Sequence, residues 1–177
     1  NLPREDVARL GRSLETLESE ADLLVVGTGA GIGDTTLNLV LASDRLLLVT
    51  TPEPTAQADA YALLKVLHAR RPDFHASIVV NMAASEEQAR EVASRIDQVA
   101  GRFLSFAAPF AGWIPRENGI EKHMLKRTAA YRASPRGPFS QAIRSLASSL
   151  ARDLPRPGNA SFLERVTTSA RFEGPAK

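Results

Sequence analysis

There is no cysteine in the 177 residues, so neither a disulfide framework nor a thiolate metal site can form. Histidine is scarce as well: His68, His75 and His123 are scattered, which argues against a histidine metal site. No apolar run approaches the ~20 residues needed to cross a bilayer, and no signal-peptide pattern opens the chain. Charge of one sign is not in large excess. A formal net charge of +2 is too small to point to nucleic acid by itself. What is present is ordinary for a globular domain: 44% apolar and 24% charged residues, in a chain long enough for one compact α/β unit with a sizeable core. The chain begins at Asn1 rather than Met, which reads as a truncation or a domain cut. A cytosolic location is the default expectation.

Hydrophobic periodicity divides the chain into alternating helices and strands. Val7, Leu10, Leu14 and Leu17 make one apolar stripe, predicting a helix over 4–19. Leu23 to Val26 is a short uncharged apolar run and reads as a buried parallel strand. The Gly-rich turn 27–33 leads to a helix over 34–41, with Asp34 placed to cap it. Residues 45–50 form a second strand, closed by Pro52 and Pro54. A helix over 55–70 turns Ala60, Leu63, Leu64 and Leu67 inward, and residues 77–81 make a third strand. A helix over 86–99 buries Ala89, Val92, Ala93 and Ile96. The stretch 103–114 holds a short strand with the loop after it, ending at Pro115. The last long helix runs over 138–154, with Ile143, Leu146 and Leu150 packing, before a Pro-Arg-Pro-Gly linker at 155–158.

This order implies βαβ crossovers and a parallel sheet covered on both faces: an α/β, three-layer αβα domain over 1–154, with a linker and tail over 155–177. In such sheets ligands bind at the carboxyl ends of the strands. The residues of interest are therefore those following each strand: Gly27 to Gly33, Thr51 to Thr55, Asn81 to Ala84, and Pro115 to Asn118. Gly27, Thr28, Gly29, Ala30 and Gly31 form a turn that can bring backbone N–H groups close to an anion. Close helix–sheet packing explains such a turn equally well. Partial matches to the G-x-G-x-x-G dinucleotide pattern through Gly29, Gly31 and Gly33 keep that reading open.

Thr50-Thr51-Pro52-Glu53-Pro54-Thr55, followed by Asp59-Ala60-Tyr61 and Lys65, resembles a stretch of the MinD/ParA P-loop ATPases, in the branch of the flagellar-number regulators. Thr28 to Ile32 is similar to that family's switch II turn. Val79-Val80-Asn81 resembles its strand ending in an adenine-reading asparagine, and Ile114 to Glu117 its I-P-x-D loop. The four motifs occur in the family's order, and the resemblance covers roughly residues 20–154. It implies a partial P-loop NTPase fold with nucleotide-binding residues Asn81, Pro115, Arg116 and Glu117. It also implies a loop of Pro52, Glu53 and Pro54 near the nucleotide or the dimer face. An asparagine offers a donor and an acceptor to the adenine edge. The alternative is that Asn81 satisfies loop backbone, and that Glu53 merely orders its loop.

Two departures bear on activity. The G-x-x-x-x-G-K-[ST] loop that cradles phosphates is absent from these residues. No catalytic or metal residue is therefore expected in this fragment, and no bound nucleotide. ATP and Mg²⁺ are the cofactors the resemblance implies for the full-length protein. Second, Gly27 stands where the family has an aspartate near Mg²⁺. The leading expectation is an ATP-dependent switch that cycles between an ATP-bound homodimer and a monomer and engages flagellar or cell-pole regulatory proteins. A non-hydrolysing interaction module is the second reading. A DNA-partitioning ATPase is the third and weakest, since Lys122, Lys126, Arg127 and Arg132 are the densest basic cluster. The tail over 159–172 reads either as a short amphipathic helix touching the inner face of the plasma membrane or as a loosely docked tail.

Overall fold

The computed structural model describes residues 20–152 and 161–169. The predicted helix over 4–19 and the linker over 155–158 lie outside the described residues. In chain order the elements are α1 (Asp34–Ala42), β1 (Leu46–Thr50), α2 (Pro54–Arg70), β2 (Ala76–Ala83), α3 (Glu86–Leu104), β3 (Phe110–Pro115), α4 (Ile120–Leu125), α5 (Ala130–Ala133), α6 (Pro138–Arg152) and α7 (Phe162–Ser169). They fall into two compact units, one of Asn1–Arg45 with Arg156–Lys177 and one of Leu46–Pro155.

The larger unit is a parallel sheet in the order β1-β2-β3. Each pair of strands is joined through a helix, α2 and then α3, which is the long crossover that parallel pairing requires. Right-handed crossovers put both helices on one face, where they pack against each other. Phe110 pairs with Ile78 and Gly112 with Val79, so the extra residue Ala111 turns the two β3 residues to opposite faces. Arg90 of α3 lies over the Phe110 ring at 4.8 Å. A Cβ on Gly112 would sit 3.2 Å from Leu146 Cδ1 of α6. α3 and α6 therefore cover opposite faces, giving the expected αβα layering.

This coverage explains why β2 has no alternation: Ala76 to Val80 are all buried. Ala60, Leu64 and Leu67 of α2 and Ala89, Val92, Ala93, Ile96 and Ala100 of α3 complete the core beneath it. Helix α3 starts on a side-chain capping arrangement. Ser85 Oγ accepts from Gln88 N at 3.2 Å, and Gln88 Oε1 accepts from Ala84 N at 2.8 Å. It runs five residues past its predicted end to Leu104 and stops where Ser105 turns left-handed at φ 52°.

In the smaller unit α1 packs against α7, with Leu37, Val40, Ala42 and Phe162 buried. Two expectations fail here. Residues 23–26 are not a strand: Leu23 and Val25 are 54% and 80% exposed, and no described residue pairs with them. An apolar run alone cannot make a strand, because its N–H and C=O groups need a neighbouring ladder. Asp34 is not the cap either. Gly33 holds the extended N-cap position and Asp34 begins the helix, its charge placed in the first turn. α7 carries a reciprocal capping box: Ser161 Oγ accepts from Glu164 N at 3.1 Å and Glu164 Oε2 from Ser161 N at 2.9 Å. Arg165 pairs with Asp44 at 3.0 Å and donates to the Ala42 carbonyl at 2.6 Å, tying α7 to the end of α1.

Candidate functional site

The carboxyl ends of the three parallel strands lie side by side, and of the expected segments those after β1, β2 and β3 lie there. β2 leaves the core at Asn81. Its ladder with β3 slips between Asn81 and Ala83, so Asn81 pairs with Ile114 and Ala83 with Pro115. Met82 takes the slack at φ 59°, a left-handed conformation that costs an unbranched non-glycine residue about 1–2 kcal/mol. Asn81 is what holds it: Oδ1 accepts from the Met82 N–H at 2.9 Å. That bond occupies Oδ1 and leaves Nδ2 as a donor with no partner among the described residues. The turn leaves the Met82 side chain 46% exposed at the strand end.

Arg116 N donates to the Ala83 carbonyl at 2.9 Å, extending the β2–β3 pairing one step beyond Pro115. Pro115 and Arg116 are thereby held beside the Asn81 turn, with the Arg116 side chain exposed. Glu117 behaves differently. Its Oε2 accepts from Phe139 N at 2.7 Å, at the start of α6. Pro138 has no N–H to offer, so Glu117 serves the first donor of that helix from 22 residues away. Gly137 makes room for this contact, since a Cβ there would meet Ser134 Oγ at 2.6 Å and Glu117 Oε1 at 3.2 Å. The carboxylate ties the loop after β3 to α6.

Beside these residues, the loop after β1 is ordered without the Glu53 side chain. Thr51 Oγ1 accepts from Glu53 N at 3.3 Å, and Gln57 Nε2 donates to the Pro52 carbonyl at 2.9 Å. Glu53 occupies the N-cap of α2 with no side-chain cap bond, and Pro54 supplies the favoured first helical residue. The Glu53 carboxylate is exposed at the strand edge. Thr50, just before it, buries an Oγ1 with no hydrogen-bond partner in the described structure.

Gly27 to Gly31 belong to the smaller unit and are exposed throughout. Gly31 is at φ +99°, which favours glycine, while nothing lies within 4 Å of a Cβ built on Gly27. No group of three or more His, Asp or Glu residues able to hold a metal occurs among the described residues. The features the sequence did not signal are the strained Met82 and the reach of Glu117 to α6. Both are set by register and by contacts distant in sequence.

No family model matches the chain. Among curated proteins, antiactivator FleN of Pseudomonas aeruginosa is 35% identical over 164 residues, covering 90% of this chain and 58% of FleN. Flagellum site-determining protein YlxH of Helicobacter pylori is 32% identical over 160 residues, covering 86% of this chain and 54% of YlxH. The chain thus spans somewhat more than half the length of these relatives. Among solved structures, the septum site-determining protein MinD of Pyrococcus horikoshii, complexed with Mg-ADP, aligns at a TM-score of 0.62 with 19% identity. That alignment covers 87% of this chain and 61% of MinD.

Proposed function

The chain belongs to the MinD/ParA family of P-loop ATPases, with the flagellar regulators FleN and YlxH, and on that premise we propose that it is the base-binding part of an ATP-dependent switch controlling flagellar number or placement. The observation that carries this reading is the strand-end arrangement of Asn81 and Pro115–Arg116. Asn81 Nδ2 is a donor without a partner among the described residues at the end of a buried strand, and the Arg116 backbone is hydrogen-bonded to Ala83 alongside it. In the proposed role Nδ2 donates to an acceptor nitrogen of adenine, while Oδ1 keeps the Met82 turn in place. Pro115 and Arg116 wall the base, and Glu117 holds that wall rather than touching nucleotide.

ATP suits the donor set at this strand end. No group of three or more His, Asp or Glu residues able to hold a metal occurs among the described residues, and no metal ligand is assigned to them. In the full-length protein ATP would supply the binding energy that favours the homodimer, and its loss would release it. The dimer would then engage flagellar or cell-pole regulatory proteins, in keeping with the antiactivator and site-determining roles named for the two relatives. A cytoplasmic location is part of this proposal. No helix among the described residues is long and apolar enough to cross a membrane. Contact of the tail with the membrane would require α7 to leave α1, because Phe162 is buried and Arg165 is held by Asp44.

A second reading, a non-hydrolysing interaction module, is favoured by Gly27, which offers no carboxylate where the family resemblance places one. Equilibrium ATP binding by the full-length protein tests the first reading; no binding at millimolar ATP would remove it. Turnover by full-length Gly27→Asp separates the two. A Cβ at Gly27 has nothing within 4 Å, so a gain of hydrolysis over the parent supports the module reading for the native chain, and robust hydrolysis by the unaltered protein sinks it.

A further inference from the structure

From residue 122 to residue 152 the chain has seven lysines and arginines and no aspartate or glutamate. This stretch carries +7 of a chain whose total is +2, leaving −5 for everything else. Such asymmetry marks an electrostatic surface rather than an ordinary mixed one. All seven side chains, Lys122, Lys126, Arg127, Arg132, Arg136, Arg144 and Arg152, are exposed, and none forms an ion pair among the described residues. The fold gathers them: α4 packs on α5 and α5 on α6, so a short stretch of chain doubles back on itself. Two large apolar side chains sit among these charges. Leu125, between Lys122 and Lys126, is 86% exposed, and Tyr131 is 40% exposed with the Arg144 guanidinium 5.6 Å from its ring centre.

We propose that the surface formed by α4, α5 and the exposed side of α6 docks an acidic segment of a partner protein that carries an apolar side chain to cover Leu125 and Tyr131. Charge complementarity sets the sign of the partner, because seven exposed cations that form no ion pair among the described residues repel a basic surface and steer an acidic one. The exposed leucine sets the rest. A polyanion alone has nothing to bury against it, whereas an acidic peptide with an aliphatic anchor removes it from water. Nucleic acid fits less well: α4 is six residues long, too short to fill a groove, and the one tyrosine here already has a guanidinium against it. An anionic bilayer fits less well too, since it calls for a broad apolar face rather than a leucine and a tyrosine.

The test uses the full chain and four probes. The first is an 18-residue helical peptide with glutamates on one face and leucines on the other. The second is the same peptide with its leucines replaced by serine. The third is an 18-base-pair DNA duplex, and the fourth is phosphatidylglycerol vesicles. The expected result is salt-sensitive binding of the first peptide, weakened about tenfold in Leu125→Ser and at least as much in Lys126→Glu/Arg132→Glu, with the salt slope flattened only in the charge-reversed variant. All these side chains are exposed, and unchanged thermal unfolding of the variants would confirm that folding is intact. No binding of the leucine peptide, or equal binding of both peptides, would overturn the proposal. So would tighter binding of DNA or vesicles that ignores Leu125→Ser.

Discussion

Glu117→Ala asks whether one carboxylate holds the loop after β3 in place. In the structure Glu117 Oε2 accepts from Phe139 N at 2.7 Å, half-buried at the start of α6. Removing it leaves the first helical N–H of α6 without its acceptor and takes a negative charge away from the positive end of the helix. Loss of a capping side chain costs about 1 kcal/mol, and the charge–dipole part adds roughly 0.3–1 kcal/mol. The expected destabilisation is about 1.5 kcal/mol, or a fall in Tm of roughly 3–6 °C for a protein of this size. Glu117→Gln keeps an acceptor but not the charge, so it should lose only about 0.3–1 kcal/mol. Urea unfolding followed through Trp113, the single tryptophan, reads the relevant unit, because Trp113 lies on β3 next to the residue that meets α6. A Glu117→Ala midpoint within about 0.5 kcal/mol of the parent would refute the capping role. So would Gln costing as much as Ala.

Three further outcomes follow from particular contacts. Met82→Gly should be neutral or stabilising by up to about 1 kcal/mol, because relief of a left-handed non-glycine conformation outweighs glycine's entropy cost. Met82→Val should be destabilising, and urea midpoints compare the two. Arg165→Glu puts like charge beside Asp44 and removes the donor to the Ala42 carbonyl, so amide exchange over 162–169 should accelerate about tenfold. Unchanged exchange would show that apolar burial of Phe162 alone docks α7. Gly27→Asp should leave thermal stability within about 0.5 kcal/mol of the parent, since a Cβ there meets nothing; a large loss would mean the turn is packed more tightly than the structure describes.

Much of the larger unit could be read from the sequence because its signals are local. The apolar runs at 45–50 and 77–81 and the Pro-flanked loop after the first of them each act within a few residues. The inward faces of α2 and α3 followed from helical spacing, and only Leu63 stays half-exposed. The errors share a physical origin. Residues 23–26 have the composition of a buried strand, but a strand is made by its neighbours, and no described residue supplies one. Glycine rather than aspartate took the cap of α1 because the cap must be extended while Asp34 is already helical. α4 and α5 were not delimited, being too short to show periodicity. The Met82 turn depends on a one-residue slip in the β2–β3 register, and the use of Glu117 on contacts across 22 positions. Neither leaves a local mark in the chain.

The central claim is that the end of β2 reads an adenine base through Asn81. Asn81→Asp isolates that contact, because the carboxylate can still accept from Met82 N while the Nδ2 donor is gone. The decisive measurement is the dissociation constant of ATP for the full-length protein and its Asn81→Asp form, by isothermal titration at one salt concentration. The account predicts saturable binding by the parent and affinity weaker by about tenfold or more in the variant, the loss of one hydrogen bond plus repulsion between carboxylate and base acceptor. Equal affinity of the two forms, with unfolding curves that also coincide, would contradict it.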